Sequence, residues 1–335
     1  MTDLNNMKVL VTGANGFVGS AVMLQLLAAG CEVRVLVRSG SDKRNLQSHP
    51  VEICIGDLTD PGSLKLAVTG CNALFHVAAD YRLWIPNPAI MYRTNVDGTE
   101  SLMLAAADAG VERIVYTSSV ATLGINPDGA PADEQTPSSL DTMTGHYKRS
   151  KYLAEEKVRS LIYKHQIPAI IVNPSTPIGP RDIKPTPTGR IVLDTICGRM
   201  PAYVNTGLNI VHVDDVAAGH LQAFNCGKTG ERYILGGENL TLLQILTLID
   251  DITGIPQKRL RLSQQIVLPI AWIMEKIASV TGNEPRATVD SVRMSKKLMF
   301  FNSDKASREL GYHFRPAREA LSDAITWFKQ NGYCN

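Results

Sequence analysis

The chain has 335 residues, which exceeds one ordinary domain and is short for three. Its 34 Lys and Arg nearly balance its 32 Asp and Glu, so no overall charge draws it toward nucleic acid or anionic lipid. A hydrophobic content of 44% is that of a soluble globular protein with a sizeable core.

The cysteines and the apolar segments argue against several further classes. Six cysteines are scattered without a C-x-x-C pair, which predicts neither a disulfide framework nor a zinc site and favours isolated thiols in a reducing cytoplasm. Residues 1–8 are polar and lead directly into a strand, so we expect no signal peptide. The apolar run 266–274 contains Pro269 and is too short to span a bilayer. We therefore expect a cytoplasmic protein without a transmembrane segment, a metal ion or a nucleic acid partner.

Strand and helix patterns alternate regularly in the first half of the chain. Apolar runs predict strands over 8–11, 33–37, 51–55, 73–77, 113–117 and 169–172. Helical spacing predicts helices over 18–28, 63–68, 92–109 and 146–165. Apolar strands separated by helices are typical of a parallel sheet covered on both faces. The pattern predicts an α/β fold with a doubly wound parallel sheet of the Rossmann type.

The composition changes after Pro174. Six prolines between positions 174 and 201 crowd a loop-rich stretch that suits a substrate-lining segment better than a sheet. Further on, residues 210–213 predict a strand, and 216–224, 242–252 and 317–329 predict helices. We expect a smaller, interleaved C-terminal substrate domain. Its predicted ranges are about 176–207 and 236–335, and the dinucleotide-binding domain takes 1–175 and about 208–235.

A glycine-rich turn lies between the first predicted strand and the first predicted helix. Glycine there allows a tight bend, close approach of a pyrophosphate and close packing of helix on strand. The helix N-terminus adds free N–H groups and a partial positive charge. A strand before it and a helix after it distinguish this turn from an ordinary surface turn. The predicted cofactor contacts in the turn are Gly13, Asn15, Gly16, Phe17, Val18 and Gly19.

The residue at the end of the second strand indicates which dinucleotide binds. NAD enzymes usually place an acidic residue there for the ribose 2′-hydroxyl, whereas this chain has Arg38. An arginine can hold a 2′-phosphate through its fork of donors, and Lys43 and Arg44 follow closely. The alternative is a solvated arginine at a strand end. We expect NADP(H) to be preferred, with NAD(H) possible.

Later strand ends supply further predicted cofactor contacts. Asp57 and Leu58 follow the third strand and are placed to meet the adenine, and Ala78 and Ala79 follow the fourth. Each pair alone could be ordinary turn and core. Their shared position at the carboxyl ends of the strands favours the cofactor site.

A tyrosine and a lysine four residues apart carry the predicted chemistry. Tyr147 and Lys151 share one helical face, and a nearby ammonium is expected to lower the pKa of the phenol. Tyr147 could then exchange a proton with a carbonyl or carbinol oxygen, while Lys151 also holds the nicotinamide ribose. Ser119 follows the fifth strand and could hydrogen-bond the same substrate oxygen.

These motifs together resemble the extended short-chain dehydrogenases/reductases, over nearly the whole chain. Within that family the chain is similar to the dihydroflavonol-reductase-like branch and to the hopanoid-associated sugar epimerases placed in it. The stretches that carry the resemblance are 13–19, 57–58, 75–79, 95–99, 116–119, 147–151, 173–175, 211–217 and 304–312, with 80–84 and 173–189 for the branch. One departure, Arg38, counts against a nucleotide-sugar epimerase, because those enzymes usually keep an acidic residue there.

The resemblance implies roles for additional residues. The family's helix asparagine, which organises a water near the lysine, matches Asn95, and its cofactor contacts include positions matching Thr117 and Pro174. The catalytic serine matches Ser119. The helices over 92–109 and 146–165 often form a four-helix dimer interface in this family, which makes a homodimer possible.

Aromatic side chains after the fourth strand predict the substrate contacts. Tyr81 and Trp84, with Ser119, are the candidates, and the rings favour a flat or apolar small molecule. A pyrophosphate would need Arg82, Arg181 or Lys184, which could equally be solvated. His76, in an apolar strand, is expected to be structural. The segment 266–280 is expected to pack in the core, the alternative being an apolar entrance for a lipid-like substrate.

Three functions remain to be distinguished. The favoured one is an NADP-dependent oxidoreductase that transfers hydride to or from a carbonyl or secondary alcohol. The alternative is an NAD(P)-dependent sugar or nucleotide-sugar epimerase/dehydratase, which oxidises and re-reduces its substrate with no net cofactor turnover. A non-catalytic NADP-binding sensor is disfavoured because the Tyr147/Lys151 pair is present.

Overall fold

The computed structural model describes residues 4–282, 285 and 287–334. Its strands are β1 Lys8–Thr12, β2 Glu32–Val37, β3 Val51–Ile55, β4 Ala73–His76, β5 Arg113–Thr117, β6 Ala169–Pro174, β7 Thr176–Ile178, β8 Ala202–Val204, β9 Gly207–His212, β10 Arg232–Leu235, β11 Glu238–Thr241, β12 Leu260–Leu262 and β13 Leu298–Met299. Its α-helices are α1 Phe17–Ala28, α2 Pro61–Val68, α3 Pro88–Tyr92, α4 Gly98–Asp108, α5 Gly145–His165, α6 Pro187–Ile196, α7 Val213–Cys226, α8 Leu242–Thr253, α9 Gln264–Thr281, α10 Val289–Met294, α11 Asp304–Leu310 and α12 Ala317–Gln330.

Seven of these strands form one parallel sheet in the order β10-β6-β5-β4-β1-β2-β3. The chain starts in the middle at β1 and winds outward in both directions, which confirms the predicted doubly wound fold. The carboxyl ends of β1 and β4 therefore lie side by side, with β5 next to β4. This placement brings the predicted site segments to one edge of the sheet.

Alternating side chains of the central strands enter two separate cores. On one face Val9 and Val11 pack with α1 and α7, and on the other Leu10 packs with α2, α4 and α5. Both faces of the inner strands are thus covered, as expected from their apolar sequences. Edge strand β3 differs, because Ile53 and Ile55 are exposed.

The later segments form a second unit beside this sheet. β9 pairs with β7, β11 and β13, and β8 pairs with β12. β9, assigned by the predicted boundary near 208 to the dinucleotide-binding part, pairs in the smaller sheet, and its Val211 packs in the core of the large one. α11 packs on α7 and β10, although its residues were assigned to the substrate part. The division into two domains itself stays a prediction.

The predicted helix over 92–109 is interrupted. α3 ends at Tyr92, residues 93–97 form a π-helical turn, and α4 begins at Gly98. Within the turn the Asn95 side chain bonds to the backbone of Asp80 and to Ser150. Such wide turns inside helices are frequent at functional sites. The apolar periodicity of this segment gave no sign of it.

Two sequence-based expectations were wrong. Cys197 and Cys334, 137 positions apart, are joined by a disulfide, although isolated thiols were expected. Residues 266–280, expected in the core, lie in α9, where Ile266, Ile273 and several neighbours are exposed. No helix in the described part of the chain is long and apolar enough to cross a membrane.

Candidate active site

The glycine turn forms a narrow cradle between β1 and α1. Gly13 has φ +74°, and a Cβ added there would lie 2.8 Å from the backbone of Ala78. A Cβ at Gly19 would overlap the Gly13 carbonyl, so the helix can pack this closely only without side chains. Gly16 caps α1, whose first residues, Phe17 and Val18, are half-buried. The cradle fits a dinucleotide pyrophosphate at the N-terminus of α1.

A basic loop borders this cradle. Asn15 donates to the carbonyl of Asp42 (3.3 Å), and Asn45 donates to the carbonyls of Asn15 and Gly16, both at 3.4 Å. Lys43 is exposed in the same loop, whereas Arg44 is paired with Asp42. Both cations are therefore exposed beside the glycine turn, and Arg44 is the one whose charge is offset by a carboxylate.

Arg38 is exposed at the end of β2, facing two carboxyl groups. Burial raises the pKa of Asp57, but hydrogen bonds from Thr59 and the charge of Arg38 outweigh it, so that this pKa lies below its usual value. The charge of Arg38 also contributes to the lowered pKa of Asp80, where Arg82 is the nearer partner. Arg38 is thus close to the end of β3 and to the loop after β4.

The predicted cofactor contacts that follow β3 and β4 differ in how far their side chains are buried. Asp57 and Ala79 are half-buried at their strand ends. The Ala78 amide donates to the Thr12 hydroxyl (3.2 Å), and Leu58 packs in the core against α4. Leu58 could therefore offer a cofactor only its backbone.

Ser119 and Tyr147 are in contact at the carboxyl end of β5. The Ser119 hydroxyl accepts from the Ala121 amide (3.1 Å), which fixes it at the start of a short 3₁₀ turn, and it hydrogen-bonds the Tyr147 phenol. Tyr147 lies in the first turn of α5 and is half-buried. A substrate oxygen placed beside both hydroxyls would receive two hydrogen bonds.

Lys151 is 3% exposed, one turn further along α5. Its ammonium donates to the Thr117 carbonyl (2.8 Å) and to the Tyr116 hydroxyl (3.3 Å). Burial lowers the pKa of Lys151 to about 8, against the opposing effect of the Glu155 carboxylate. Thr117, predicted to touch the cofactor, is buried, and its hydroxyl meets His220 at 2.9 Å.

The pKa of Tyr147 is displaced in the opposite direction to the one expected. Burial raises the pKa of the phenol, and the hydrogen bond from Ser119 only partly opposes this. Tyr147 is consequently a neutral phenol at neutral pH. A neutral phenol is the form that can donate a proton to a carbonyl oxygen.

Asn95 joins the loop after β4 to α5. Its carbonyl oxygen accepts from the Asp80 amide (2.7 Å), and its amide group donates to the Asp80 carbonyl (2.9 Å) and to the Ser150 hydroxyl (3.0 Å). Because Ser150 neighbours Lys151, this asparagine positions the helix that carries the lysine. Its role beside a catalytic water stays a prediction.

Glu155 is a functional candidate that the sequence analysis missed. This carboxylate is 2% exposed and accepts hydrogen bonds from Ser118, Thr122 (2.8 Å) and Asn173 (2.9 Å), while Arg232 pairs with it at 3.1 Å. It thereby ties α5 to β5, β6 and β10 directly behind the reactive groups. Its position four residues after Lys151, on the same face of the helix, could have identified it from the sequence.

The end of β6 brings two unpartnered polar atoms to the site. Asn173 Oδ1 and Ser175 Oγ are buried without a hydrogen-bond partner among the described residues. They flank Pro174, a predicted cofactor contact, which is itself buried. Buried polar atoms normally have partners, so these two fit a site that a ligand completes.

The open side of the site carries the predicted substrate residues. Tyr81 is exposed and Trp84 is half-buried in the loop after β4. Arg82 pairs with Asp80 in the same loop, at 2.9 Å for its Nε donor. Across the site Arg181 pairs with Asp214, and Lys184 is exposed. Two of the three cations considered for a pyrophosphate are thus held by carboxylates.

His76 is partnered on both ring nitrogens. Nδ1 meets the Thr12 hydroxyl at 2.8 Å and Nε2 meets the Thr99 hydroxyl at 2.9 Å. Burial, with the charge of Lys151, lowers the pKa of His76 to about 3, so the ring is neutral. This arrangement suits the structural role expected for it.

The fold and site define a nicotinamide-dependent enzyme of the short-chain dehydrogenase type. The sequence model of the NAD dependent epimerase/dehydratase family matches residues 9–236. The chain therefore belongs to that family, as the resemblance predicted. Its members and structural neighbours bind NAD(P), and it is an NAD(P)-dependent enzyme.

Two curated proteins and one solved structure are similar over almost the full length. A Synechocystis protein with the provisional name dihydroflavonol 4-reductase is 47% identical over 96% of this chain and 95% of its own. Sterol demethylase protein B of Methylococcus capsulatus is 36% identical over 97% and 99%. The crystal structure of gox2253 is 55% identical, has a TM-score of 0.88, and covers 99% of this chain and 100% of its own.

Proposed function

We propose that the protein is an NADP(H)-dependent ketoreductase, or secondary-alcohol dehydrogenase, for an apolar ring-bearing small molecule. A nicotinamide cofactor, when bound, supplies or accepts the hydride. Tyr147 donates its phenolic proton to the carbonyl oxygen, and Ser119 holds that oxygen by a second hydrogen bond. In the oxidative direction the same tyrosine accepts the proton.

Lys151 supports this exchange through charge and position. Its ammonium, fixed by the Thr117 carbonyl and by Tyr116, stabilises negative charge as Tyr147 releases its proton. Glu155 and Asn95 hold the helix and strand ends that set this geometry. They act as positioning residues.

We favour an apolar substrate over a nucleotide sugar because the arginines on the open side of the site already form ion pairs. Arg82 and Arg181 are already paired with Asp80 and Asp214, so these carboxylates offset the charge that the two arginines could offer a pyrophosphate. Tyr81 and Trp84 instead offer aromatic surface. The names of the two curated relatives, a dihydroflavonol 4-reductase by provisional name and a sterol demethylase protein, support an apolar polycyclic substrate.

Arg38 supports NADP(H) over NAD(H). It is exposed beside the glycine cradle, and its guanidinium makes no hydrogen bond within the described part of the chain. Asp57 and Asp80 have closer partners in Thr59 and Arg82. The donors of Arg38 are therefore available for a 2′-phosphate.

A substrate screen tests this proposal. Ring ketones and nucleotide sugars are each incubated with NADPH, and loss of reduced-nicotinamide absorbance is followed for wild type and Trp84→Ala. We expect stoichiometric oxidation with a ring ketone, and a raised KM in the Trp84 variant. Binding of nucleotide sugars alone, untouched by Trp84→Ala and without net oxidation, would establish the epimerase alternative instead.

A further inference from the structure

α9 presents an apolar surface that the rest of the described structure leaves open. Five of its outer residues recur at spacings of three and four, Trp272 lies beside that stripe, and each of the six is between 49% and 87% exposed. We call them the α9 face: Ile266, Ile270, Trp272, Ile273, Ile277 and Val280. The helix is attached on its other side through Ala271 and Ala278, which are buried. On the inner side Val267, Leu268 and Met274 are only half-buried, so most of the large apolar side chains of this helix are at least partly open to solvent.

A contiguous apolar patch of this kind marks an interaction surface. Six of the sixteen large exposed hydrophobic residues in the described part of the chain belong to the α9 face. Two more, Ile255 and Leu260, lie just before α9 in the sequence. Isolated exposed hydrophobic residues are normal, but such a concentration on one helix is not.

The surroundings of the α9 face are basic. The described residues between 258 and 297 include seven Lys and Arg against two Asp and Glu, whereas the whole chain is nearly balanced. One of the seven, Arg259, is paired with Asp250 and has little side-chain exposure. Arg261 and Lys296 line a cavity of about 720 Å³ at the start of the helix. Lys276 lies over the Trp272 ring at 5.5 Å. An apolar face bordered by cations complements a bilayer surface that contains anionic phospholipid.

We propose that the α9 face docks the protein on an anionic membrane surface. The isoleucines and Trp272 enter the boundary between headgroups and acyl chains, and the surrounding cations contact lipid phosphates. A second copy of the chain fits the same face less well, because two basic borders would then be brought together. The near-neutral net charge of the whole chain gave no indication of this local excess of cations.

The docked helix is connected to the catalytic end of α5. Glu275 of α9 accepts a hydrogen bond from the Val289 amide at the start of α10 (2.8 Å). Asp290 of α10 lies against Gly145, where an added Cβ would be 2.9 Å from its carboxylate. Gly145 is two residues before Tyr147. A membrane beneath α9 would therefore lie on the side of the molecule that leads to Tyr147. A lipid-soluble substrate could reach the site from that side. This consequence rests on the proposed function.

Vesicle sedimentation tests the docking directly. The full chain is mixed with vesicles of phosphatidylcholine, or of phosphatidylcholine with phosphatidylglycerol, at low and high salt. We expect binding to the anionic vesicles only, weakened by salt. Ile270→Glu/Ile273→Glu should bind at least about tenfold more weakly, because apolar area no longer enters the bilayer. Leu66→Glu, at an exposed leucine of α2, is the matched control and should bind as wild type.

Trp272 fluorescence supplies a second readout. Emission should shift to shorter wavelength with anionic vesicles, and Trp272→Phe should remove that shift. Unchanged NADPH affinity and thermal unfolding show that the variants are folded. No vesicle binding by wild type, or equal binding by the double variant, would overturn the proposal. The proposal would also be overturned if wild type bound no vesicles but formed a dimer, and the double substitution dissociated that dimer. Vesicle binding by a protein that reduces no ketone would refute the proposed function alone.

Discussion

The sheet side and the open side of the candidate site are built differently. On the sheet side Lys151, Asn95 and Glu155 are almost fully buried, and each is held by at least two hydrogen bonds. On the open side Tyr81 is exposed and Trp84 is half-buried, both in the loop after β4. Fixed polar groups suit a reaction shared by many relatives, whereas an open apolar border suits the choice of one substrate.

The largest effect should come from the sheet side. Tyr147→Phe removes the proton donor and leaves the ring, so kcat should fall by about 10²–10⁴-fold while the Kd for NADPH stays nearly unchanged. Tyr163→Phe, at the far, exposed end of the same helix, should match wild type. Full turnover by the Tyr147 variant with a true substrate would remove this residue from the mechanism.

The buried network behind the site should matter mainly for stability. Glu155→Ala removes the buried carboxylate that Arg232, Asn173 and two hydroxyls share, leaves the Arg232 charge without its ion-pair partner, and should lower the free energy of unfolding by about 3–5 kcal/mol. Denaturant unfolding measures the change. Glu156→Ala is the control, since this exposed neighbour makes only a 3.8 Å pair with Arg159 and should cost under about 1 kcal/mol. Equal effects of the two substitutions would contradict the network's importance.

Cofactor choice should depend on one arginine. Arg38→Ala should reduce the preference for NADPH over NADH by about 1.5–3 kcal/mol, or about 10- to 150-fold in the ratio of the two Kd values. Arg44→Ala should change that ratio less, because Arg44 is paired with Asp42. An unchanged ratio in the Arg38 variant means that another group recognises the 2′-phosphate.

Activity should also depend on pH through Lys151. Burial lowers its pKa to about 8, so the ammonium is charged below that pH and neutral above it. Tyr147, with its raised pKa, remains protonated over the same range. The kcat/KM for reduction should therefore fall as pH rises through about 8. Lys151→Arg keeps its charge at higher pH and should move the fall upward. If kcat/KM of the Lys151→Arg variant fell at the same pH as that of wild type, the fall would belong to the titration of a different group.

The two sides also differ in how far the sequence predicts them. The glycine turn and the Tyr147/Lys151 pair are local patterns, since each lies within one turn or helix, and local spacing identified them. Glu155 was missed because its partners Thr122, Asn173 and Arg232 are 18 to 77 positions away. The disulfide partners are 137 positions apart, so their proximity is a property of the fold.

The spacing of apolar residues along a helix also does not determine whether those residues are buried. α12 and α9 are both amphipathic, but α12 buries Leu321, Ile325 and Phe328 whereas α9 buries only two alanines. Their periodicity is similar, and the difference depends on which elements pack against each helix. The possible homodimer through the helices predicted over 92–109 and 146–165 and the cytoplasmic location stay predictions, because neither is encoded in one segment.

Transfer of deuterium from cofactor to product tests the central claim most directly. Wild type is incubated with a ring ketone identified in the screen and with NADPH in which both hydrogens at the reactive carbon are replaced by deuterium, and the product is examined by mass spectrometry. We expect one deuterium in each alcohol formed, with one NADPH oxidised per product. An epimerised product without deuterium, formed while the amount of reduced cofactor stays constant, would contradict the assignment as a reductase.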